Sequence, residues 1–207
     1  MSRKFSLSLF IFFFLIGANA FAQGNILFPK TRLQAHQTLY SGEKGQSFAE
    51  AGAGWGVGIT SYSDGRRLAP FLGLHLTVMT GRQTFLDNET EVSASFNSYL
   101  ASTEIGANFY PIERRTRGMN VYISGAGLVG YNFVSLSRGA SLSSIPYSDQ
   151  SFSGGYALGM GAEWILSTIG PTKWTMTTDF LFKKESAVLL KKQFDLSSIV
   201  FSVGFGW

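Results

Sequence analysis

Each of the two histidines in this chain of 207 residues has a hydroxyl side chain two residues further along. They lie in the sequences "HQT", with His36 and Thr38, and "HLT", with His75 and Thr77. An imidazole beside a hydroxyl can act as the base that activates a nucleophile. Residues two apart share one face of a β-strand. Both pairs are therefore candidates for acyl-transfer chemistry if a strand presents them to a substrate.

Acidic side chains form a second group of candidates: Glu50, Glu104, Glu163 and Asp179. Two carboxylates held close together can perform general acid–base catalysis. Nothing in the sequence sets these four at a reactive cleft. Their interpretation therefore depends on the elements that carry them.

A third pattern, Gly125, Gly127 and Gly130 in "VYISGAGLVGY", matches the G-x-G-x-x-G dinucleotide fingerprint. The fingerprint needs a following helix, because the pyrophosphate binds at the helix N-terminus. The next residues, "YNFVSLSRGASLSSIP", have no helical period. We therefore interpret these glycines as small residues that relieve crowding in a strand.

The elements themselves are indicated by "AGAGWGVGIT", residues 51–60, where every second residue is glycine. Trp55, Val57 and Ile59 would form one apolar face, and the opposite face would be nearly empty. In a helix each glycine would cost about 1 kcal/mol relative to alanine. A strand with small inward residues suits the narrow interior of a barrel.

The same period of two recurs along the chain, and each segment is long enough for a tilted strand to span a bilayer. The predicted strands are 31–40, 49–60, 68–80, 98–110, 120–134, 151–166, 173–182 and 197–207. The connections that follow the first, third, fifth and seventh strands are 41–45, 81–91, 135–150 and 183–195. Apart from the first hairpin, long and short connections alternate, as expected of an up-and-down barrel with long extracellular loops.

The composition favours a membrane barrel over a secreted globular domain. Aromatic residues make up 15% of the chain, charged residues only 14%, and there are 24 glycines. Beyond the first residues there is no apolar run long enough for a transmembrane helix. A closed antiparallel barrel is the other backbone solution in hydrocarbon. The predicted fold class is therefore all-β, a transmembrane antiparallel up-and-down β-barrel of eight strands.

The first 22 residues are typical of a secretory signal peptide. Arg3 and Lys4 precede an apolar run that ends in two A-x-A patterns, and we predict cleavage after Ala22. A membrane-anchor helix is the alternative. After cleavage, residues 23–207 would form the barrel domain, which contains no cysteine and hence no disulfide.

The sequence resembles the small eight-stranded outer-membrane β-barrel proteins, which include OmpX-like proteins and the OmpA transmembrane domain. The terminal strand carries the most specific feature, because Phe201, Phe205 and Trp207 match the aromatic pattern read by the barrel-insertion machinery in that family. Trp207 replaces the usual phenylalanine, and Ser202 stands where a glycine is favoured. The resemblance implies an outer-membrane location in a Gram-negative envelope.

The strand parity turns several ionisable side chains towards the interior. Charges in a narrow interior are costly unless they are paired, so we predict a structural network of ion pairs and hydrogen bonds there. A gated proton or ion path is the alternative. The predicted network contains Arg32, His36, Glu50, His75, Glu104, Glu163, Lys173 and Asp179.

We predict a non-enzymatic barrel with a structural or surface-contact role through its extracellular loops. One alternative is a narrow conduit for small apolar molecules, as in OmpW-like barrels. Another is a lipid A acyl hydrolase, since the lipid A deacylases resemble this chain in having a His-x-Ser arrangement. Here Thr77 replaces the serine, and the alternation of side chains along the strand points both Thr77 and His75 to the interior. We predict no catalytic, metal or cofactor site, and no cofactor.

The predicted partners are outer-membrane lipid, lipopolysaccharide and the insertion machinery, with no nucleic acid. Lysines 183, 184, 191 and 192 flank the last loop and are candidates for lipopolysaccharide phosphates, or are solvated. The apolar "SAVLL" at 186–190 could contact a partner or the bilayer. Arginines 66, 67, 114, 115 and 117 mark the short turns, where they would contact anionic lipid or remain in solvent.

Overall fold

The computed structural model describes residues 28–41, 53–87, 90–136, 146–169, 172–190 and 192–207, and all regular structure in these ranges is β-strand. The strands are β1 (Lys30–Tyr40), β2 (Ala53–Tyr62), β3 (Leu68–Asp87), β4 (Thr90–Phe109), β5 (Gly118–Leu136), β6 (Ser148–Ile169), β7 (Thr172–Leu189), β8 (Lys192–Asp195) and β9 (Ser198–Gly206). In the described part of the chain, no helix is long and apolar enough to cross a membrane. The predicted signal peptide and its cleavage position lie outside the described residues.

The strands close into a barrel with eight positions. β8 and β9 pair with β7 in one continuous register, with Asp195 opposite Ser186 and Ser198 opposite Lys183, so together they occupy one position. Consecutive strands are antiparallel neighbours, and β1 pairs with β9 to close the sheet. The predicted eight-stranded antiparallel up-and-down barrel is confirmed.

The register fixes the tilt of the strands. Following paired residues once around the barrel from Lys30 leads through Tyr62, Phe71, Gly106, Ala126, Ala157, Lys183 and Ser198 back to Tyr40. The circuit returns ten residues further along β1, between Lys30 and Tyr40. With eight strands, this stagger corresponds to a tilt of about 40° and to an interior that side chains can fill.

The glycines of β2 make room for two side chains in that interior. A Cβ atom on Gly56 would lie 2.2 Å from Nε2 of His36, and one on Gly58 would lie 2.3 Å from Nδ1 of His75. On the other face of β2, Trp55 is 64% exposed. The alternation of glycine with apolar residues therefore gives this strand an inner face that accommodates its neighbours' imidazoles and an outer face that is apolar.

The outer face of the barrel is apolar over most of its height. Exposed outward residues on this belt include Leu33, Val57, Ile105, Phe109, Val121, Ile123, Val129, Phe152, Leu158, Met160, Phe180, Phe201, Val203 and Phe205. We call the end with both termini and the short turns 63–67 and 110–117 the turn end, and the opposite end the loop end. Towards the loop end the outer face becomes polar, with Arg82 beyond Val78 on β3 and Lys184 beyond Phe182 on β7.

Two of the long loops predicted from the sequence are instead extensions of the barrel strands. β3 and β4 pair as far as Asp87 and Thr90, where residues 81–91 were expected to be a loop. β7 continues to Leu189 and pairs with β8, where 183–195 was expected to be a loop. The prediction failed because the outer face gains polar residues there, such as Arg82 and Lys184, while apolar residues such as Phe96 and Leu189 lie inside.

The inner side chains of these extensions form an apolar cluster at the loop end. It contains Met79, Ala94, Phe96, Val134, Leu136, Ala187, Leu189, Leu190, Phe194 and Leu196, with Tyr40 packed against it. The expectation that "SAVLL" contacts a partner or the bilayer is wrong for Ala187, Leu189 and Leu190, which are buried in this cluster. Leu190 adopts a left-handed backbone conformation (φ 52°) at the turn that follows β7.

Candidate functional site

The candidate site is the polar interior between the apolar cluster and the turn end. Five of the described ionisable residues predicted for the interior are buried there: Arg32, His36, Glu104, Glu163 and Asp179. His75 is nearly buried, with a side chain that is 9% exposed. Lys173 is only half-buried and forms no ion pair with a described carboxylate. Glu50 lies outside the described residues.

Asp179 is the centre of the first interior group. Its Oδ2 accepts hydrogen bonds from Gln34 Nε2 at 3.2 Å and from Ser202 Oγ at 2.9 Å. Its Oδ1 accepts the hydroxyl of Tyr122, which in turn accepts a bond from Arg32 Nη1 at 2.9 Å. The guanidinium lies 3.6 Å from Asp179 Oδ2. A buried carboxylate with donors from β1, β5 and β9 is both satisfied and neutralised, so this group cross-links the barrel.

Glu104 is the centre of the second group. It accepts a hydrogen bond from Lys183 Nζ on one oxygen, and its other oxygen lies 3.5 Å from Nε2 of His75. The ring of His75 meets that of His36 edge-on, with centroids 5.6 Å apart. Nε2 of His36 lies 2.9 Å from Oγ1 of Thr77. The four ionisable side chains of this group are thus drawn from β1, β3, β4 and β7.

Lys183 was predicted to flank a loop, either in contact with lipopolysaccharide phosphates or in solvent, and both alternatives are wrong. Because β7 continues past residue 182, the period of two turns Lys183 to the same face as Asp179. Its ammonium therefore lies in the interior against Glu104. Residues 179 and 183 share one face of a strand because they are an even number apart. The sequence would therefore have identified Lys183 as an interior residue if the predicted strand had been extended by one residue.

Arg114 closes the interior at the turn end, although it lies in a turn. Its Nε and Nη2 donate to the two oxygens of Glu163 at 2.7 and 2.5 Å, and its Nη1 donates to Asp64 at 3.0 Å. The guanidinium also lies 5.5 Å from the ring centre of Tyr62 and 5.3 Å from that of Tyr110. The expectation that Arg114 faces lipid or solvent is wrong, because its turn folds back over the barrel mouth.

The charged groups at this mouth shift one another's pKa values. Burial by itself lowers the pKa of Arg114, but the hydrogen bonds and charge of Glu163 outweigh it and raise that pKa. Burial by itself raises the pKa of Asp64, but the hydrogen bond from Lys30 and the nearby positive charges lower it overall. Both groups are therefore charged at neutral pH, which keeps the closure of the mouth intact.

The geometry does not assemble the sequence-predicted acyl-transfer pairs. Thr77 pairs with His36 of another strand, while Nε2 of His75 points towards Glu104. The interior cavity beside these groups has a volume of only about 30 Å³. That is enough for about one water molecule and far too little for an acyl chain.

The fingerprint glycines do not form a nucleotide site. They lie within β5, which continues to Leu136 without a helix, and Gly125 and Gly127 face outward with no atom closer than 3.5 Å to an added Cβ. Only Gly130 relieves crowding, since its Cβ would lie 2.7 Å from Oε1 of Glu185. The crowding interpretation is therefore wrong for the first two glycines.

The terminal aromatic residues lie on the outer face of β9. Phe201, Phe205 and Trp207 are all exposed, and the ring of Trp174 lies 5.3 Å from that of Phe205 and 6.4 Å from that of Trp207. Trp207 N also donates to Thr31 O at 3.0 Å. The C-terminal strand is thus fully paired and presents its aromatic side chains outward.

Sequence reasoning missed several residues that complete the interior: Gln34, Tyr122, Ser202, Lys183, Glu185 and Arg114. All but Arg114 lie on inward parity positions, so a stricter application of the period of two would have found them. Arg114 has no such signal, because a turn has no alternating faces.

Comparisons with known proteins find similarity to solved structures but not to a protein family. No family model matches the chain, and no curated protein matches it. Among solved structures it is similar to Neisserial surface protein A (NspA), with 12% identity and a TM-score of 0.47, covering 86% of this chain and 94% of that one. It is also similar to Ail, the attachment invasion locus protein of Yersinia pestis, with 12% identity and a TM-score of 0.34, covering 86% and 95%. The fold rests on the closure of this chain's own strands.

Proposed function

We propose that the protein is an integral outer-membrane barrel, filled by its own side chains, which acts without catalysis through structure and through contacts at its loop end. The observation that carries the proposal is the interior volume. The cavity lined by the Asp179 and Glu104 groups has a volume of about 30 Å³, and each group contains an ion pair. An interior of this kind favours a rigid support over a passage or a substrate pocket.

The loop end is the surface proposed for contacts. The extended hairpins carry polar residues on their outer face and an apolar cluster inside, which is the pattern of a water-exposed β-structure. Lys184 lies on the outer face directly beyond Phe182, at the height where lipopolysaccharide phosphates would meet the barrel. We assign lipopolysaccharide contact to this lysine, and recognition by the insertion machinery to the aromatic residues of β9.

The membrane location is tested by fractionation and gel mobility. The protein should be found in the outer-membrane fraction and migrate differently when it is boiled and unboiled, because closed barrels stay folded in detergent. Recovery from the soluble periplasm without a mobility shift would contradict the proposal.

The filled interior is tested in planar bilayers. Purified protein should give no reproducible conductance, because the ion-paired groups block the cross-section. Reproducible conductance would contradict the filled interior and favour the narrow conduit.

The absence of catalysis is tested by mass spectra of lipid A with and without expression. A mass change that His75→Ala abolishes would contradict the non-enzymatic role.

A further inference from the structure

The two short turns at the turn end lie side by side and have fixed backbones. Tyr110 N donates to Arg67 O, and Arg114 N donates to Arg66 O, each at 2.8 Å. Gly118 adopts a positive φ of 82° where the second turn enters β5. The two turns therefore form one continuous rim with defined side-chain positions.

This rim carries more positive charge than its carboxylates neutralise. Arg114 is neutralised by Glu163 and Asp64, and Arg66 lies 3.4 Å from Glu113. Three further arginines on the rim are exposed, and within the described part of the chain no carboxylate forms an ion pair with them: Arg67, Arg115 and Arg117.

The same rim marks the end of the apolar belt. Ile112, in the second turn, is 70% exposed, and Leu68 and Met119 are exposed on the strands that adjoin the turns. Leu68 directly follows Arg67, and Met119 lies two residues after Arg117. The arginines therefore lie where hydrocarbon gives way to lipid headgroups. A planar guanidinium is well suited to bind phosphate through two hydrogen bonds.

We propose that Arg67, Arg115 and Arg117 form a binding surface for the phosphates of anionic phospholipids in the leaflet that meets the turn end. The proposal rests on the membrane-spanning function proposed above. Exposed Ile112 favours lipid over an acidic protein as the occupant, because a lipid layer covers an apolar side chain beside the charges. Each arginine should contribute about a fivefold preference for anionic over zwitterionic lipid.

The test compares two bilayers of equal acyl-chain length, one of phosphatidylcholine and one that also contains phosphatidylglycerol. The full-length mature protein is folded into each, and the temperature at which half of it loses folded gel mobility is measured. The midpoint should be higher with phosphatidylglycerol, and the difference should shrink at high salt. The variant R67Q/R115Q/R117Q should lose most of the difference, whereas R82Q, at the loop end, should keep it.

Equal midpoints for the wild-type protein in the two bilayers would overturn the proposal, as would a triple variant that keeps the full difference. A rise in the phosphatidylcholine midpoint on adding inorganic phosphate alone would also overturn it, since lipid would not be the required source. If the triple variant does not fold, the three single variants are compared, and each should lose part of the difference. Failure of the wild-type protein to fold in either bilayer would instead contradict the proposed membrane function.

Discussion

Arg114 has the strongest set of contacts of any side chain in the described turns. It makes two hydrogen bonds to Glu163 and one to Asp64, and it lies against two tyrosine rings. Glu163 is almost fully buried. Burying two charges is expensive, and removing one of them leaves the other without compensation. The pair should therefore be costly to break but replaceable as a unit.

Arg114→Ala should lower the free energy of unfolding by about 3–5 kcal/mol, the range for breaking a buried ion pair. Urea unfolding in phosphatidylcholine vesicles, followed by tryptophan fluorescence, measures it. Arg115→Ala, in the same turn but exposed, should change stability by about 0.5 kcal/mol or less. The double variant Arg114→Leu/Glu163→Leu should recover most of the loss. Equal losses for Arg114→Ala and Arg115→Ala would contradict the closure of the mouth.

Gly58 leaves the space that the ring of His75 occupies. The three atoms closest to a Cβ added at Gly58 all belong to the His75 ring. Gly58→Ala should therefore cost about 1–3 kcal/mol by overpacking, and His75→Ala should relieve part of that cost in the double variant. Gly154→Ala is the control, since its nearest neighbour would lie 3.9 Å away. Strictly additive costs in the double variant would show that the imidazole does not set the requirement for glycine.

At the scale of elements, the alternation of side chains predicts the strands well over the apolar belt and poorly beyond it. Between Leu68 and Val78 the outer face is apolar, as a bilayer requires, and the predicted strand was found. Beyond Met79 the outer face carries Arg82, and the paired strand β4 places Ala94 and Phe96 inside. The outer face therefore stops being uniformly apolar where the belt ends, and the extended hairpins were predicted as loops for that reason.

The apolar cluster should stabilise the loop end independently of the membrane-embedded wall. Phe194 is 1% exposed within it, so Phe194→Ala should cost about 3–5 kcal/mol locally. Hydrogen exchange should show faster exchange in β8 and in the end of β7, with unchanged protection in β5 at the membrane level. Val188→Ala, a neighbouring position that is 59% exposed, should leave exchange unaltered. Faster exchange throughout the barrel would indicate one cooperative unit instead.

At the scale of the whole molecule, the barrel has two zones along its axis that differ in where polar and apolar side chains lie. In the membrane-spanning part the polar groups around Asp179 and Glu104 are inside and the apolar residues are outside. In the extended hairpins the apolar cluster is inside. In the proposed membrane orientation, a single closed sheet passes from lipid to water without a change of backbone structure, because only the placement of polar and apolar side chains changes.

The lipid-facing nature of the belt is testable at its middle. Leu158 is 57% exposed on β6, about halfway between the exposed Phe152 and the turn end. Leu158→Arg should reduce the free energy of folding into vesicles by about 2–4 kcal/mol, the cost of a cation at the bilayer midplane. Thr84→Arg, on the outer face of the extended β3–β4 hairpin, should cost about 1 kcal/mol or less, since water surrounds that position. If both substitutions are equally tolerated, water surrounds the belt as well, and the barrel is not embedded in lipid at that height.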